Sequence, residues 1–483
     1  MARYLAALDA GTTAVKARIY DEEGVVCGRA SRELEIVFPK PGWVEQDPTL
    51  LATASREVLA AALRDSGVAG RDVAGLGISN QRSSMVAWDG VSGEPLSQMI
   101  IWQDLRTAER CAELQSQGHY VTPMMAATKA EWILRNVEPA AAAARAGSLR
   151  LGTPNSWLAA TLCGNAHISD HCNASPTGLY SYFTLDWDDD VLGALGIERQ
   201  WLPEFVDSSG DLAVVRGDVF GKETVLAGMA GDQQASLFGL ACLEPGQTKC
   251  SFGTSAMVTA NNGEEIGIGA AGTYPIVGWR IGDSTTFTVE GTVVTAGAAV
   301  QWLRDGLGLV ADASETEALA ASVPDTGGVW VVPALQGLGT PAMREDVRAL
   351  VGGISRATTK AHIVRATLEG IAHRVTDVSE AVWANGTRPD SLRADGGASR
   401  NDVLLGMQAD LLGMPVERSA DADGASDGAA KLAGLGVGVW KDVGELSGLW
   451  SPTKVFEPRL AEAERLRLRE RWAKNVETAV AAA

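Results

Sequence analysis

Two stretches of the sequence combine a glycine with hydroxyl side chains between short apolar runs. Residues 9–13 read Asp-Ala-Gly-Thr-Thr, and residues 253–255 read Gly-Thr-Ser. A turn of this kind directs backbone N–H groups and hydroxyls at one point, which suits a phosphate group. Asp9, at the head of the first stretch, can hold Mg²⁺ directly or through water. A single turn of this kind is explained equally well as a phosphate site or as a tight hairpin with a capping side chain. The second copy favours the interpretation that two turns hold one polyphosphate.

Two further stretches carry residues suited to phosphoryl transfer. Residues 230–234 (Ala-Gly-Asp-Gln-Gln) place Asp232 between a predicted strand and a predicted helix, where it is either a helix cap or a general base for a substrate hydroxyl. Phosphoryl transfer asks little else of side chains, because positioning and charge neutralisation by Mg²⁺ supply most of the catalysis. Residues 394–401 contain a Gly-Gly pair at a strand end, where a planar ring can approach the backbone.

The elements that must position these residues alternate between strands and helices. The pattern of strand, Gly-Thr turn and strand recurs after about half the chain, which predicts two similar α/β domains with a boundary near residue 245. The predicted strands cover residues 4–8, 15–20, 25–28, 73–78, 247–252, 256–260 and 392–394, and the predicted helices begin at Asp47-Pro48, at Thr358 and after Pro458.

Composition excludes several classes of protein. The chain has 483 residues and a formal net charge of −19, which argues against nucleic acid or an anionic membrane as the main partner. Any phosphate site must therefore be local, built from backbone N–H groups and bound metal. The six cysteines form no CxxC pair, which favours reduced thiols. With no signal-peptide pattern and no apolar run long enough to span a membrane, a cytoplasmic location is expected.

Taken in order, the two Gly-Thr turns, the Gly-Asp-Gln-Gln stretch and the late Asp-Gly-Gly-Ala-Ser stretch resemble the FGGY carbohydrate kinases. The resemblance covers about residues 4–440. It implies an α/β fold of the actin/hexokinase-like (ribonuclease H-like) type, with duplicated domains and a nucleotide cleft between them. The expected divisions are an N-terminal domain at 1–244, a C-terminal domain at 245–440, and a helical tail at 441–483 packed on the second domain. Within the family the sequence is most similar to the glycerol kinases, through residues 42–48, 77–82, 102–107, 127–129, 173–175, 290–291, 299–305, 332–334 and 337–339.

The resemblance also implies an activity and its residues. The chain is expected to use ATP and Mg²⁺ to phosphorylate a hydroxyl of glycerol or of a C4–C5 polyol or ketose. A homodimer is expected from the family alone. Two alternatives stay open: an actin-like ATPase, and an inactive kinase paralogue that acts as an interaction protein. The implied sites are the phosphate contacts Thr12, Thr13, Lys16, Gly253 and Thr254; the adenosine contacts Gly297, Gln301, Gly397 and Asn401; the magnesium contacts Asp9 and Asp232; and the polyol contacts Arg82, Trp102, Asp232 and Gln233, with Asp232 also the base.

Three further polyol positions depart from the glycerol kinases. Ser83, Met124 and Met257 stand where those enzymes have Glu, Tyr and Phe. Losing a carboxylate and a phenol removes groups that bind hydroxyls, and methionine is flexible and apolar. The pocket is therefore predicted to be wider and less polar, for a longer or partly deoxygenated acceptor, with a relaxed glycerol kinase as an equally open interpretation. Residues 216–222 lack the Gly-Gly-Thr-Arg element that binds a sugar-bisphosphate regulator in some bacterial glycerol kinases, so no such regulation is predicted.

Overall fold

The computed structural model describes residues 3–267 and 269–483. The chain forms two compact units, and the boundary between their main segments lies at Gly239. The first unit runs to Gly239 and also includes Ile276–Thr286 and Ala425–Gly448, and the second contains Leu240–Pro275, Phe287–Gly424 and Leu449–Ala483.

Strands and helices alternate along most of the chain. The strands are β1 Tyr4–Ala10, β2 Ala14–Tyr20, β3 Val26–Glu33, β4 Glu45–Gln46, β5 Val73–Asn80, β6 Val86–Asp89, β7 Met99–Ile100, β8 Leu149–Gly152, β9 Ile168–Asp170, β10 Tyr180–Ser181, β11 Asp186–Trp187, β12 Glu204–Val206, β13 Ser209–Val215, β14 Thr224–Gly231, β15 Thr248–Phe252, β16 Ala256–Asn261, β17 Tyr274–Ile281, β18 Ser284–Val293, β19 Trp330–Val332, β20 Leu350–Gly352, β21 Leu392–Asp395, β22 Val416–Arg418 and β23 Lys454–Phe456. The α-helices are α1 Pro48–Ser66, α2 Ala108–Ser116, α3 Ala127–Asn136, α4 Glu138–Ala146, α5 Pro154–Leu162, α6 His171–Ala174, α7 Asp189–Leu195, α8 Gly217–Phe220, α9 Asp232–Gly239, α10 Gly297–Gln301, α11 Glu315–Ala321, α12 Lys360–Trp383, α13 Asp402–Leu412, α14 Gly424–Gly436, α15 Val443–Ser447 and α16 Glu462–Ala481.

The first unit is built on a six-stranded sheet in the order β13-β14-β5-β1-β2-β3. The pairs β1–β5 and β5–β14 are parallel, whereas β1–β2, β2–β3 and β13–β14 are antiparallel. The central strands are almost fully buried, as expected for parallel strands covered on both faces. One cover is α1, which Asp47 caps by accepting from the Thr49 N–H, as the Asp47-Pro48 pair predicted.

The second unit repeats this topology, which supports the predicted duplication. Its sheet has the order β17-β18-β16-β15-β21-β22-β23. The hairpin β15–β16 is antiparallel and β15 pairs with β21 in parallel, in the same way that β1 pairs with β2 and β5. A long helix precedes the parallel partner in each unit, α1 before β5 and α12 before β21. Thr359 rather than Thr358 is the N-cap of α12, in a capping box with His362.

The units differ from the predicted limits of 244 and 440 mainly in two segments, Ile276–Thr286 and Ala425–Gly448, which group with the first unit. Residues 425–448 group with the first unit, because α14 packs directly on its sheet. A Cβ placed on Gly77 of β5 would lie 1.9 Å from the Ala429 carbonyl oxygen, so only glycine permits this approach. Asp427, also on α14, accepts a hydrogen bond from the Tyr20 hydroxyl at 2.6 Å. The limits 1–244, 245–440 and 441–483 predict segments that fold independently, and this stays a prediction.

The described part of the chain contains no helix that is both long enough and apolar enough to cross a lipid bilayer.

Candidate active site

The first candidate site lies at one edge of the first unit's sheet. The strands β1, β5 and β14 are parallel, so their carboxyl ends share that edge. In the register of the sheet Asp9 is opposite Ser79, and Ser79 is opposite Ala230, two residues before Asp232. Ligands of α/β sheets bind at the carboxyl ends of strands. The fold therefore brings the predicted stretches at 9–13 and 230–234 together with the end of the stretch at 77–82 that carries the family resemblance.

Asp9 is held firmly at the end of β1. Its side chain is nearly buried, with 6% of the residue exposed. The Ser79 hydroxyl donates to Asp9 Oδ1 at 3.0 Å, and Lys16 Nζ lies 3.7 Å from Asp9 Oδ2 across the β1–β2 hairpin. In the turn between these strands the Gly11 N–H donates to the Ala14 carbonyl at 3.0 Å, and Thr13 is exposed. The turn thus places a carboxylate, an ammonium and an exposed threonine side by side.

Thr12 connects this turn to a residue predicted to contact the polyol. The Trp102 indole N–H donates to Thr12 Oγ1 at 2.9 Å. Gln46 Nε2 donates to the Thr12 carbonyl at 2.6 Å. Because the indole occupies a lone pair of the hydroxyl, the proton on Thr12 Oγ1 is directed elsewhere, with Gln81 Oε1 at 3.5 Å as a weak acceptor. Thr12 and Trp102 therefore form one hydrogen-bonded pair.

Sequence reasoning missed the residues that support this pair. Gln81 Nε2 donates to Gln46 Oε1 at 2.8 Å, and the Ser84 hydroxyl donates to Gln81 Oε1 at 3.0 Å. Ser84 Oγ in turn accepts from the Trp102 backbone N–H at 3.1 Å. Gln46 and Gln81 lie inside the stretches 42–48 and 77–82 quoted for the family resemblance, and that was the available signal.

Arg82 and Asp232 form an ion pair at the edge of the sheet. Arg82 Nε lies 3.2 Å from Asp232 Oδ1, with both side chains partly buried, and Arg82 Nη1 donates to Gln234 Oε1 at 3.2 Å. The Gln233 backbone N–H donates to Asp232 Oδ1 at 2.8 Å. Asp232 is the first residue of α9, so the same side chain stands at a helix start and pairs with Arg82. Gln233 is partly exposed beside them.

Ser83 and Met124 are linked through a buried lysine. Ser83 has a φ of +60°, a left-handed conformation that costs a non-glycine residue about 1 kcal/mol. Its hydroxyl donates to the Pro176 carbonyl at 2.9 Å. Lys129 Nζ donates to the Ser83 carbonyl at 3.2 Å and to the Met124 carbonyl at 3.0 Å, while the Met124 residue is 52% exposed.

Burial gives Lys129 a testable effect on stability. Loss of hydration lowers the pKa of Lys129 to about 7, a fall that Arg106 reinforces and that Asp104 and Cys111 partly oppose. The unfolded chain then binds more protons than the folded one between pH 7 and about 10. The contribution of Lys129 to the free energy of unfolding of the wild type should therefore be constant below pH 7. Above pH 7 it should rise by about 1 kcal/mol per pH unit.

The measurement is the melting temperature of the wild type and of Lys129→Met from pH 6 to 9.5. We expect the difference, wild type minus variant, to be constant below pH 7 and to grow above it. A difference that stays the same across the whole range would contradict the low pKa of Lys129.

In the second unit the turn at residues 253–255, predicted to contact phosphate, lies against the start of α10. The Gly297 N–H donates to the Gly253 carbonyl at 3.0 Å, and the Ala296 and Ala298 N–H groups donate to the Thr254 carbonyl at 3.0 and 2.9 Å. A Cβ on Gly297 would lie 2.5 Å from the Gly253 oxygen. Gly253 and Thr254 are themselves exposed. Two of the predicted nucleotide stretches thus meet at the end of β15.

The other residues of this unit that were predicted to contact the nucleotide or the polyol differ in exposure and in hydrogen bonding. The pairing of Ser251 with Asp395 brings Gly397, which is exposed, to the same end of the sheet. Asn401 caps α13 by accepting from the Leu404 N–H at 2.9 Å, and its Nδ2 donates to Thr316 Oγ1 at 3.1 Å, so its amide is already engaged. The last two residues are Gln301, exposed at the end of α10, and Met257, whose Sδ accepts from Thr292 Oγ1 at 3.1 Å.

Comparison with families of known proteins gives matches over both units. Residues 4–239 match the model of the FGGY family of carbohydrate kinases, N-terminal domain, and residues 248–437 match that of the C-terminal domain. Glycerol kinase 2 of Thermotoga maritima is 41% identical over 486 residues, which cover 98% of each chain. A glycerol kinase of Geobacillus sp. is 42% identical over 494 residues, which cover all of both chains.

Solved structures agree with these matches. A Plasmodium falciparum glycerol kinase with ADP superposes with a TM-score of 0.92 at 29% identity, covering 99% of this chain and 98% of the other. A xylulose kinase from Rhodospirillum rubrum gives a TM-score of 0.85 and covers 99% of each chain, and at 24% identity it shows the fold alone.

Proposed function

Because the chain belongs to the FGGY family of carbohydrate kinases, and is therefore a phosphotransferase with an alcohol acceptor, we propose that it transfers the γ-phosphoryl group of ATP to a hydroxyl of a small polyol or ketose. Asp232 is the general base of this reaction. The observation that carries the proposal is the Arg82–Asp232 pair at the carboxyl edge of the first unit's sheet. The family supplies the reaction class, and this pair supplies a charged, partly buried site for an acceptor.

Asp232 is arranged to act at one of its two oxygens. Arg82 Nε and the Gln233 N–H both contact Oδ1. We therefore assign Oδ2 to the proton of the acceptor hydroxyl. Arg82 orients the carboxylate through its charge, and Gln234 fixes the other end of the guanidinium. Polar groups of this kind at a partly buried site can bind the hydroxyls of a polyol.

Magnesium fits the carboxylates of the first unit. Asp9 and Asp232 offer the hard oxygen ligands that Mg²⁺ prefers, from the ends of two parallel strands of one sheet. Among residues 3–267 and 269–483, no cluster of three or more His, Cys, Asp and Glu side chains could hold a metal ion. Mg²⁺ commonly takes one or two carboxylates and completes its ligands with phosphate and water. Bound there, the ion would neutralise charge on the transferred phosphoryl group.

The nucleotide contacts are proposed for both units. In the first, the hydroxyl proton of Thr12, the exposed Thr13 and the Lys16 ammonium are suited to phosphate oxygens. In the second, Gly253, Thr254, Gly297, Gln301, Gly397 and Asn401 are proposed for the phosphates and the adenosine. That the two turns bind the same polyphosphate stays a prediction.

A substitution of Gly297 tests the proposed nucleotide contacts separately from the acceptor contacts. Alanine at this position would push its Cβ against the Gly253 carbonyl and displace the turn that α10 supports. We expect Gly297→Ala to raise the KM for ATP about 10-fold or more, since a shift of about 1 Å in a positioning element is costly. The KM for the acceptor should change much less. Steady-state kinetics with each substrate varied in turn would measure this.

Gly193→Ala is the matched control for Gly297→Ala. Gly193 lies inside the helix α7, and a Cβ there would meet no atom within 4 Å among the described residues beyond its chain neighbours and the backbone of its own helix. The control should leave both KM values unchanged. An equal rise in both KM values for Gly297→Ala would contradict a role confined to the nucleotide.

Two acceptor classes are supported by different observations. Relatives at 41–42% identity over the full length are glycerol kinases, which supports glycerol. The sequence places Ser83, Met124 and Met257 where those enzymes have larger or more polar groups, and the Ser83 hydroxyl is turned to the Pro176 carbonyl, which supports a wider and less polar pocket.

Initial rates of ADP release with glycerol, erythritol, threitol, the pentitols and C4–C6 ketoses would separate the two classes. A dominant C4–C6 compound would confirm the wider pocket. Dominant glycerol would instead show that the three changes are tolerated. Oligomeric state, cytoplasmic location and the absence of sugar-bisphosphate regulation stay predictions.

A further inference from the structure

Lys129 is a fully buried lysine that none of the roles above uses. It lies in the first turn of α3, and none of its surface is exposed. Its ammonium donates to two main-chain carbonyls, those of Ser83 at 3.2 Å and Met124 at 3.0 Å. These carbonyls belong to two separate segments, one that follows β5 and one that precedes α3. A single side chain thus joins both segments.

Within residues 3–267 and 269–483, no ion pair accounts for the burial of this ammonium. The charged groups that face it are Asp104 and Arg106, and these two pair with each other at 2.7 Å. An apolar side chain of the same length would avoid the cost of removing the ammonium from water. What the lysine provides instead is a pair of hydrogen bonds to main-chain carbonyls of two separate segments.

The segment that Lys129 holds includes a strained residue next to Arg82. Ser83 has a φ of +60°, and such a conformation persists where the surroundings fix it. Two bonds do so here: the Ser83 hydroxyl donates to the Pro176 carbonyl, and the Ser83 carbonyl accepts from Lys129. Arg82, the residue immediately before Ser83, pairs with Asp232, so its main chain adjoins the segment that these two bonds hold.

We propose that Lys129 is a positioning residue of the acceptor site, which fixes the Arg82–Ser83 segment and the Met124 segment relative to each other by donating to both carbonyls. This inference rests on the proposed function, because Arg82 and Met124 are assigned to the acceptor. Lys129 itself does not touch the substrate. Its loss lets Ser83 relax from the left-handed conformation and lets Arg82 turn away from Asp232.

The test is the steady-state kinetics of Lys129→Met with the preferred acceptor and with ATP. Methionine keeps most of the volume and removes every donor. We expect kcat/KM for the acceptor to fall about 10²-fold, mainly through a higher acceptor KM, while the KM for ATP stays within about 3-fold of wild type. Lys129→Arg, which retains donors, should recover part of the loss.

Thr128→Val is the matched control on the same helix. Thr128 is buried, and its hydroxyl donates to Thr107 Oγ1 at 2.8 Å, away from both segments. The variant Thr128→Val should lower the melting temperature and leave the acceptor KM unchanged. If Lys129→Met does not fold, Lys129→Gln replaces it, with the same selective rise in acceptor KM expected from its shorter reach.

The outcomes separate this inference from the proposed function. An acceptor KM that stays at the wild-type value in a folded Lys129 variant would overturn the positioning role, and so would an equal rise in both KM values. A wild-type chain that turns over no acceptor would refute the proposed function, and the positioning role with it.

Discussion

Asp232→Asn is expected to lower kcat by about 10²–10⁴-fold, because asparagine cannot accept the proton of the acceptor hydroxyl. The change is nearly isosteric. Its Oδ1 can still accept from the Gln233 N–H and from Arg82, so α9 and the Arg82 side chain should stay in place. Binding of ATP should change little. The measurement is kcat from acceptor-dependent ADP release, together with ATP affinity measured by calorimetry.

Asp188→Asn is the matched control for this substitution. Asp188 is also an aspartate at a helix start, where it accepts from the Asp190 and Val191 N–H groups of α7. It should leave kcat unchanged. Near-normal turnover in Asp232→Asn would remove Asp232 from the role of base, and a large loss of ATP affinity would show that it acts on the nucleotide instead.

Asp9→Asn is expected to raise the Mg²⁺ concentration needed for half-maximal activity by about 10-fold or more, and to lower kcat by about 10²-fold at ordinary Mg²⁺. The substitution removes a charged oxygen ligand. The Ser79 hydroxyl can still donate to Oδ1 of the asparagine, so the end of β1 should keep its conformation. Titration of activity with Mg²⁺ at fixed ATP would measure both effects.

Asp21→Asn serves as the control for Asp9→Asn. Asp21 caps the turn between β2 and β3, where it accepts from the Glu23 and Val25 N–H groups, and it should not alter the Mg²⁺ requirement. If excess Mg²⁺ fully restores kcat in Asp9→Asn, the residue acts through metal affinity alone. If neither the Mg²⁺ requirement nor kcat changes, Asp9 does not contact the metal.

Local patterns predicted much of the fold. The strand pairs around the two Gly-Thr turns and the N-cap at Asp47 depend on residues that are neighbours in sequence, and the structure has them close to the predicted positions. The duplicated topology followed from the recurrence of one short pattern. The carboxyl edge that gathers residues 9–13, 79–82 and 230–234 follows from parallel pairing of the strands that carry them.

Contacts between distant segments could not be predicted in the same way. Asp427 of α14 pairs with the Tyr20 hydroxyl and with Arg18 on β2, some four hundred residues earlier in the chain. The same holds for the pair formed by Thr12 and Trp102. No local pattern encodes such partners, because they depend on how whole helices pack on the sheet.

Strain and burial were also outside the reach of local patterns. The left-handed φ of Ser83 is unusual for serine, and no turn chemistry around it indicates this conformation. Lys129 would ordinarily be expected at the surface, yet it is fully buried and donates to two main-chain carbonyls. Departures from local propensity of this kind depend on contacts with distant segments, which a local pattern does not contain.

The most direct test of the central claim is to follow the γ-phosphoryl group of ATP by ³¹P NMR, with the wild-type chain, Mg²⁺ and the preferred acceptor. We predict that a phosphomonoester appears in step with ADP, at one for one, and that little ADP forms when the acceptor is left out. If inorganic phosphate appears in step with ADP instead, with or without acceptor, the chain hydrolyses ATP as an actin-like protein would. That result would contradict the assignment of Asp232 and Arg82 to an acceptor hydroxyl.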